Sequence, residues 1–352
     1  MGKKLFISCA TLGSGGAERV LSVLSKPFAD EYDSVEYLLW LHCPFFYTVD
    51  ERVKIVEIPE KAGTNNILLK MLWFRRYVRK ESPNLILSFL WPWSVKVILS
   101  LLFTSAKIIV AERRDPRAVR GGFLMRFLRG LLYKKAKGIV VQTDANVRYY
   151  KGDVRVIYNP VCIPQEKVGV ALKTKKDKVF VSVGRLIPEK NQQMLIKAFA
   201  RLNNKIPDYR LVIYGDGVLR ESLMELASSM GISEKVYLPG NSSNVIDDIS
   251  GAMAFVLSSN SEGMPNALFE AMCIGLPCIS TKVSGAKDLI VSEKNGILVD
   301  LDNEKQMAEA MERLALDEIE REKLGDEGIK VYELLRPDSI SEQWVKYLNT
   351  II

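Results

Sequence analysis

The sequence predicts two α/β domains, each a doubly wound parallel sheet. Three observations carry that prediction. Short apolar runs alternate with longer amphipathic stretches along the whole chain, as repeated strand–helix units require. The alternation breaks over Asn159 to Lys178, where Pro160, Pro164 and a polar KTKKDK run read as an interdomain linker. At 352 residues the chain is too long for one ordinary core and suits two of roughly 150 to 180 residues each. The expected boundaries are a first domain over 1–160, a linker over 161–177, a second domain over 178–337 and a C-terminal helix over 338–352 that packs back on the first domain.

The strand-like runs of the first half are KLFISC (4–9), SVEYLLW (34–40), VKIVEI (53–58), NLILSF (84–89), KIIVAE (107–112), GIVVQT (138–143) and VRVIY (154–158), with helical stretches between most of them. A second series follows the linker: KVFVSVG (178–184), YRLVIYG (209–215), KVYLPG (235–240), AMAFVLS (252–258), PCIST (277–281) and GILV (296–299). A last amphipathic stretch follows Pro337.

Composition narrows the function classes. Hydrophobic residues make up 48% and charged residues 26%, which suits a globular protein with full cores. Five cysteines without a CxxC pair, behind an N-terminal apolar run too short for an export signal, predict reduced thiols in a cytosol. The longest apolar stretch, Val97 to Ala106, falls short of the ~20 residues that span a bilayer. Net charge is +7 and uneven: residues 1–170 hold 27 Lys and Arg against 15 Asp and Glu. That half is expected to face an anionic partner. Nucleic acid is not expected, because no helix-turn-helix, zinc-finger spacing or aromatic RNA-binding motif is present.

The chemistry concentrates in SEGMPNALFEAMCIGLPCIST (261–281), after an apolar strand. Pro265 stands where a helix should start, and the backbone N–H groups of Gly263 and Met264 before it suit a phosphate. Glu262 precedes the turn and Glu270 lies a little over one helical turn in, among small and apolar residues. A carboxylate in such surroundings needs hydroxyl or other donors. In VGRLIPEKNQQMLIKAFA (183–200), Arg185 and Lys190 place two cations on one loop, where they can neutralise a leaving diphosphate. In LGSGGAERVLSVL (12–24), Gly13, Gly15 and Gly16 allow a tight turn and close backbone approach before a helix. The turn YGDGVLRESL (214–223), with Gly215, is either structural or close to a ligand.

Taken in this order, these segments resemble family 4 glycosyltransferases, which are retaining enzymes of GT-B fold. The resemblance covers nearly the whole chain and is most diagnostic over residues 180–300. It implies two Rossmann-like domains facing across a cleft. Glu262 and Glu270 fall on the two glutamates of the family's E-x7-E motif, the first facing the donor sugar and the second the nucleotide ribose. Arg185 and Lys190 fall on the pair that grips the donor diphosphate, and Gly15, Gly16, Gly215, Gly263, Met264 and Pro265 on donor-binding turns. Many members carry a histidine after the strand matching KIIVAE; here the sequence reads AERRDPR, and Arg113 is expected in its place. The lone histidine, His42, gets no role.

No cofactor and no metal are expected, since one histidine and no thiolate cluster offer little to a transition metal. Asp300 and Asp302 have a metal-binding Asp-x-Asp spacing but open a helix, which suits an N-cap better. Two basic amphipathic stretches, 68–80 and 112–137, either face the core or lie on an anionic bilayer. The bilayer reading names Arg75, Arg76, Arg126, Arg129, Lys134 and Lys135 as its surface. The resemblance then implies an NDP-sugar donor, a lipid-linked saccharide acceptor and a cytoplasmic enzyme peripheral on the inner membrane face. A non-catalytic nucleotide-binding subunit is the alternative. An NAD-dependent oxidoreductase is disfavoured by the missing G-x-G-x-x-G in the first turn.

Overall fold

The computed structural model describes residues 2–13, 15–113, 116 and 122–352, and for 122–126 it describes the backbone alone. The chain forms two compact units, residues 1–160 with 337–352, and residues 161–336.

Among the described residues unit 1 carries seven parallel strands: β1 (Lys4–Cys9), β2 (Ser34–Leu39), β3 (Lys54–Glu57), β4 (Leu85–Phe89), β5 (Ile108–Ala111), β6 (Gly138–Val141) and β7 (Val154–Val156), in the order β3-β2-β1-β4-β5-β6-β7. Its helices are α1 (Gly16–Glu31), α2 (Ile58–Ala62), α3 (Ile67–Glu81), α4 (Trp93–Ser100), α5 (Gly122–Tyr133) and α6 (Asp144–Val147). Successive residues of a strand point to opposite faces, and both faces are buried. Leu5, Ile7 and Cys9 join a core with residues of α1, while Phe6 joins one with Phe74 of α3, Val97 of α4 and Tyr133 of α5.

Unit 2 carries β8 (Val179–Val183), β9 (Arg210–Tyr214), β10 (Val236–Gly240), β11 (Ala254–Leu257), β12 (Cys278–Thr281) and β13 (Ile297–Val299), all parallel, in the order β10-β9-β8-β11-β12-β13. Around them lie α7 (Val170–Lys173), α8 (Gln192–Asn203), α9 (Arg220–Ser229), α10 (Val245–Ser250), α11 (Asn266–Cys273), α12 (Ser284–Leu289), α13 (Glu304–Leu316), α14 (Glu318–Ile329) and α15 (Val331–Leu335). The last helix, α16 (Pro337–Asn349), belongs to unit 1, where Ile340, Trp344 and Leu348 are fully buried against the α1 side of the sheet. Their four-residue spacing is one stripe of a helix.

The linker expected over 161–177 is corrected. These residues are part of unit 2: the Val161 amide donates to the Leu335 carbonyl (2.8 Å), and the Gly169 and Ala171 amides donate to Cys273 and Ile274 (3.1 and 2.8 Å). Those last two carbonyls end α11 and lack intrahelical partners, so the segment serves as its cap. Among the described residues no helix is long and apolar enough to cross a membrane.

Candidate active site

In unit 2 the strand order reverses between β8 and β11. The loops leaving the carboxyl ends of such neighbours diverge and leave a crevice where ligands of open α/β sheets bind. Arg185 lies two residues beyond β8, and Glu262 five residues beyond β11. The reversal thus brings together two motifs that are far apart in the chain.

Lys190 ends a short 3-10 turn, Pro188–Lys190, and its Nζ meets the Glu262 Oε1 at 2.5 Å. The Ser259 hydroxyl donates to the same oxygen at 2.8 Å. Both partners of the ion pair are mostly shielded, with side chains 21% and 14% exposed. The two loops are also joined through the backbone: the Asn260 amide donates to the Glu189 carbonyl (2.9 Å) and the Ser258 hydroxyl to the Lys190 carbonyl (2.9 Å). Arg185 is exposed and its guanidinium meets no side chain among the described residues. Its carbonyl is held by the Gln192 amide at 2.9 Å. The site therefore presents one free guanidinium beside a cation already matched by a carboxylate.

Pro265 is the N-cap of α11 rather than its first residue, and Met264 before it is buried. Glu270 is buried at 6% exposure within α11, as its apolar neighbours foretold. Gly215 adopts φ +127°, and a Cβ there would stand 2.1 Å from the Gly184 carbonyl oxygen. Its freedom serves the packing of one turn on the Arg185 loop. Gly15 is the N-cap of α1 at φ −82°, and Gly16 opens the helix. Neither left-handed backbone nor a side-chain cap is involved at Gly15; the space where its Cβ would stand is filled by the Glu18 carboxylate at 2.1 Å.

Three supporting residues escaped sequence reasoning. Ser259 orients the Glu262 carboxylate, and the buried Thr281 hydroxyl holds the Ser259 carbonyl at 2.6 Å. Gly285 lies so close under the 263–265 turn that a Cβ would stand 2.3 Å from the Gly263 oxygen. The signal for Ser259 was present in SSNSEG, three residues before Glu262. Nothing local marks Thr281 or Gly285.

Several expectations require correction. Arg113 follows β5 as expected, but it is buried: Nη1 donates to the Ile157 carbonyl and Asn159 Oδ1 (3.0 and 3.2 Å), and the guanidinium lies over the Phe89 and Trp344 rings. Burial pushes its pKa down, to about 9, which leaves it charged at neutral pH. It acts inside unit 1 as a tie between strand ends. Arg75 donates to the Ser100 and Leu102 carbonyls (both 2.8 Å) at the negative end of α4. Arg129 is buried over the Tyr150 ring. These two cations are thus committed inside unit 1, whereas Arg76, Lys134 and Lys135 are exposed. The Arg126 side chain lies outside the described residues. Asn303, not Asp300 or Asp302, caps α13. Asp300 instead pairs with Lys282, and Asp302 accepts from the Asn191 amide, both at 2.6 Å. His42 is exposed and bonded to Glu57 at 2.5 Å.

Residues 165–331 match the family described as Glycosyl transferases group 1. The chain is 27% identical over 361 residues, 99% of each chain, to the Campylobacter jejuni GalNAc-α-(1→4)-GalNAc-α-(1→3)-diNAcBac-PP-undecaprenol α-1,4-N-acetyl-D-galactosaminyltransferase. It is 29% identical over 343 residues, 90% of this chain and 91% of the other, to a second transferase of that organism, which is the N-acetylgalactosamine-N,N'-diacetylbacillosaminyl-diphospho-undecaprenol 4-α-N-acetylgalactosaminyltransferase. In fold it resembles Anabaena HepE in complex with UDP, at TM-score 0.81 and 16% identity over 99% of this chain and 100% of that one.

Proposed function

From the match of residues 165–331 to the group 1 glycosyltransferases and from the GT-B fold, we propose that this chain is a glycosyltransferase that moves a sugar from an NDP-sugar, a UDP-sugar, to a saccharide carried on a lipid diphosphate. The anomeric configuration is retained, and the product belongs to a surface polysaccharide or glycan. The observation that carries this reading is the meeting of Lys190 and Glu262 at the β8/β11 reversal, with Arg185 exposed beside them.

An entering diphosphate competes for Lys190 and draws it from Glu262, so the carboxylate is released toward the sugar hydroxyls. Arg185, Lys190 and the Gly263 and Met264 amides stabilise the charge that builds on the leaving phosphate. That phosphate takes the acceptor proton on the face where the new bond forms. Glu270 holds the ribose. The groups proposed for the diphosphate are all cations and amides, so neither metal nor cofactor is part of the reading. The undecaprenol-linked acceptors in the names of both Campylobacter relatives support a lipid-linked acceptor. They also support a peripheral position on the cytoplasmic face of a membrane.

Incubation with a panel of UDP- and GDP-sugars and lipid-linked saccharides tests the whole reading. Glu262→Gln and Glu270→Gln are expected to fold normally and to lose at least ~10²-fold in transfer. Near-normal turnover in both would remove its centre.

A further inference from the structure

We propose that unit 1 docks on an anionic bilayer by inserting apolar side chains of α3, the end of α4 and α5, with cations at the rim; this rests on the lipid-linked acceptor read above. The cores show these helices to be one layer. Phe74 and Val78 of α3, Val97 and Ile98 of α4 and Tyr133 of α5 all pack on the same side of the sheet, and α4 lies between α3 and α5.

Among the described residues, the outer side of that layer carries large exposed apolar side chains. Leu68, Leu69 and Leu72 on α3 are 65%, 51% and 53% exposed, Phe103 after α4 is 97% exposed, and Phe127 and Leu131 on α5 are 57% and 51% exposed. In α5, Arg129 is buried over Tyr150 and Tyr133 is buried against the sheet, while Phe127 and Leu131 face out. Exposed apolar side chains gathered on one helical layer mark an interaction surface.

Charge selects the cover. Arg76, Arg79 and Lys80 on α3 and Lys134, Lys135 and Lys137 after α5 are exposed, and none is ion-paired within the described residues. Between Ser82 and Lys137 the acidic residues are Glu112, which is buried, and Asp115. Exposed leucine and phenylalanine beside unmatched cations fit the acyl boundary and headgroups of an anionic leaflet.

The test is sedimentation of the full chain with vesicles of phosphatidylcholine and phosphatidylglycerol, at low salt and at roughly 1 M, where charges are screened beyond ~3 Å. UDP binding and thermal unfolding check that each variant is folded. The wild type is expected to keep part of its binding at high salt. Phe127→Ser with Leu131→Ser, and Leu68→Ser with Leu72→Ser, are expected to bind about tenfold more weakly or worse and to lose binding entirely at high salt. Lys134→Gln with Lys135→Gln should weaken binding at low salt alone. If the serine variants bind as the wild type does and salt removes all binding, insertion is overturned while a charge-only membrane association stands. If the wild type binds no vesicle at any salt, both fall. Light scattering that shows a dimer lost in the serine variants also overturns the proposal, since the face would then join two copies.

Discussion

Around Glu262 the geometry depends on residues that touch no substrate in the proposed reaction. A Cβ on Gly285 would stand 2.3 Å from the Gly263 oxygen and 2.9 Å from Pro265 Cδ, and backbone there cannot yield as a flexible side chain does. Gly285→Ala is therefore expected to shift the 263–265 turn and lower kcat/KM by about 10²-fold, with unfolding little changed. Turnover and circular dichroism on the same preparation check it; a normal rate would mean the turn has no part in donor placement. Lys176 offers a pH test in the same unit. Burial, with nearby Arg321 adding to it, pulls its ammonium down to about 8, against about 10.4 in an unfolded chain. Below about pH 8 both states hold the proton, and between about 8 and 10 the unfolded chain binds more, so this group's contribution to stability rises with pH there. Urea unfolding should show the wild type gaining on Lys176→Met over that range, and a constant difference would contradict the burial.

Among the elements, α16 is the most consequential. It enters unit 1 from the far end of the chain and places Trp344 in full burial against Phe89, under the Arg113 guanidinium. Trp344→Ala should cost unit 1 about 3–5 kcal/mol, read as a fall in the unfolding transition of that unit with unit 2 unmoved; a shift confined to unit 2 would be inconsistent with this packing. All thirteen strands among the described residues lie in the apolar runs read from the sequence, because buried parallel strands are continuous apolar segments. The turn of α5 was not legible. Its sequence is amphipathic, and the structure turns Arg129, over the Tyr150 ring, and Tyr133 inward.

For the molecule as a whole, the diphosphate ligands proposed are Arg185, Lys190 and the amides of Gly263 and Met264. Transfer is therefore expected to persist in excess EDTA. Complete loss with recovery on Mn2+ would shift attention to Asp300 and Asp302, which the structure engages with Lys282 and Asn191.

The sequence alone determined the two parallel sheets and their strands, because these rest on local periodicity, whereas Glu262, Glu270, Arg185 and Lys190 were singled out by resemblance to a known family. Only the tertiary structure decided that Lys190 meets Glu262, that Ser259, Thr281 and Gly285 support them, that residues 161–177 cap α11, and that Arg75, Arg113 and Arg129 turn inward. Apart from Ser259, which lies three residues before Glu262, each of these is a contact between segments far apart in the chain, where the partner is set by strand order and packing.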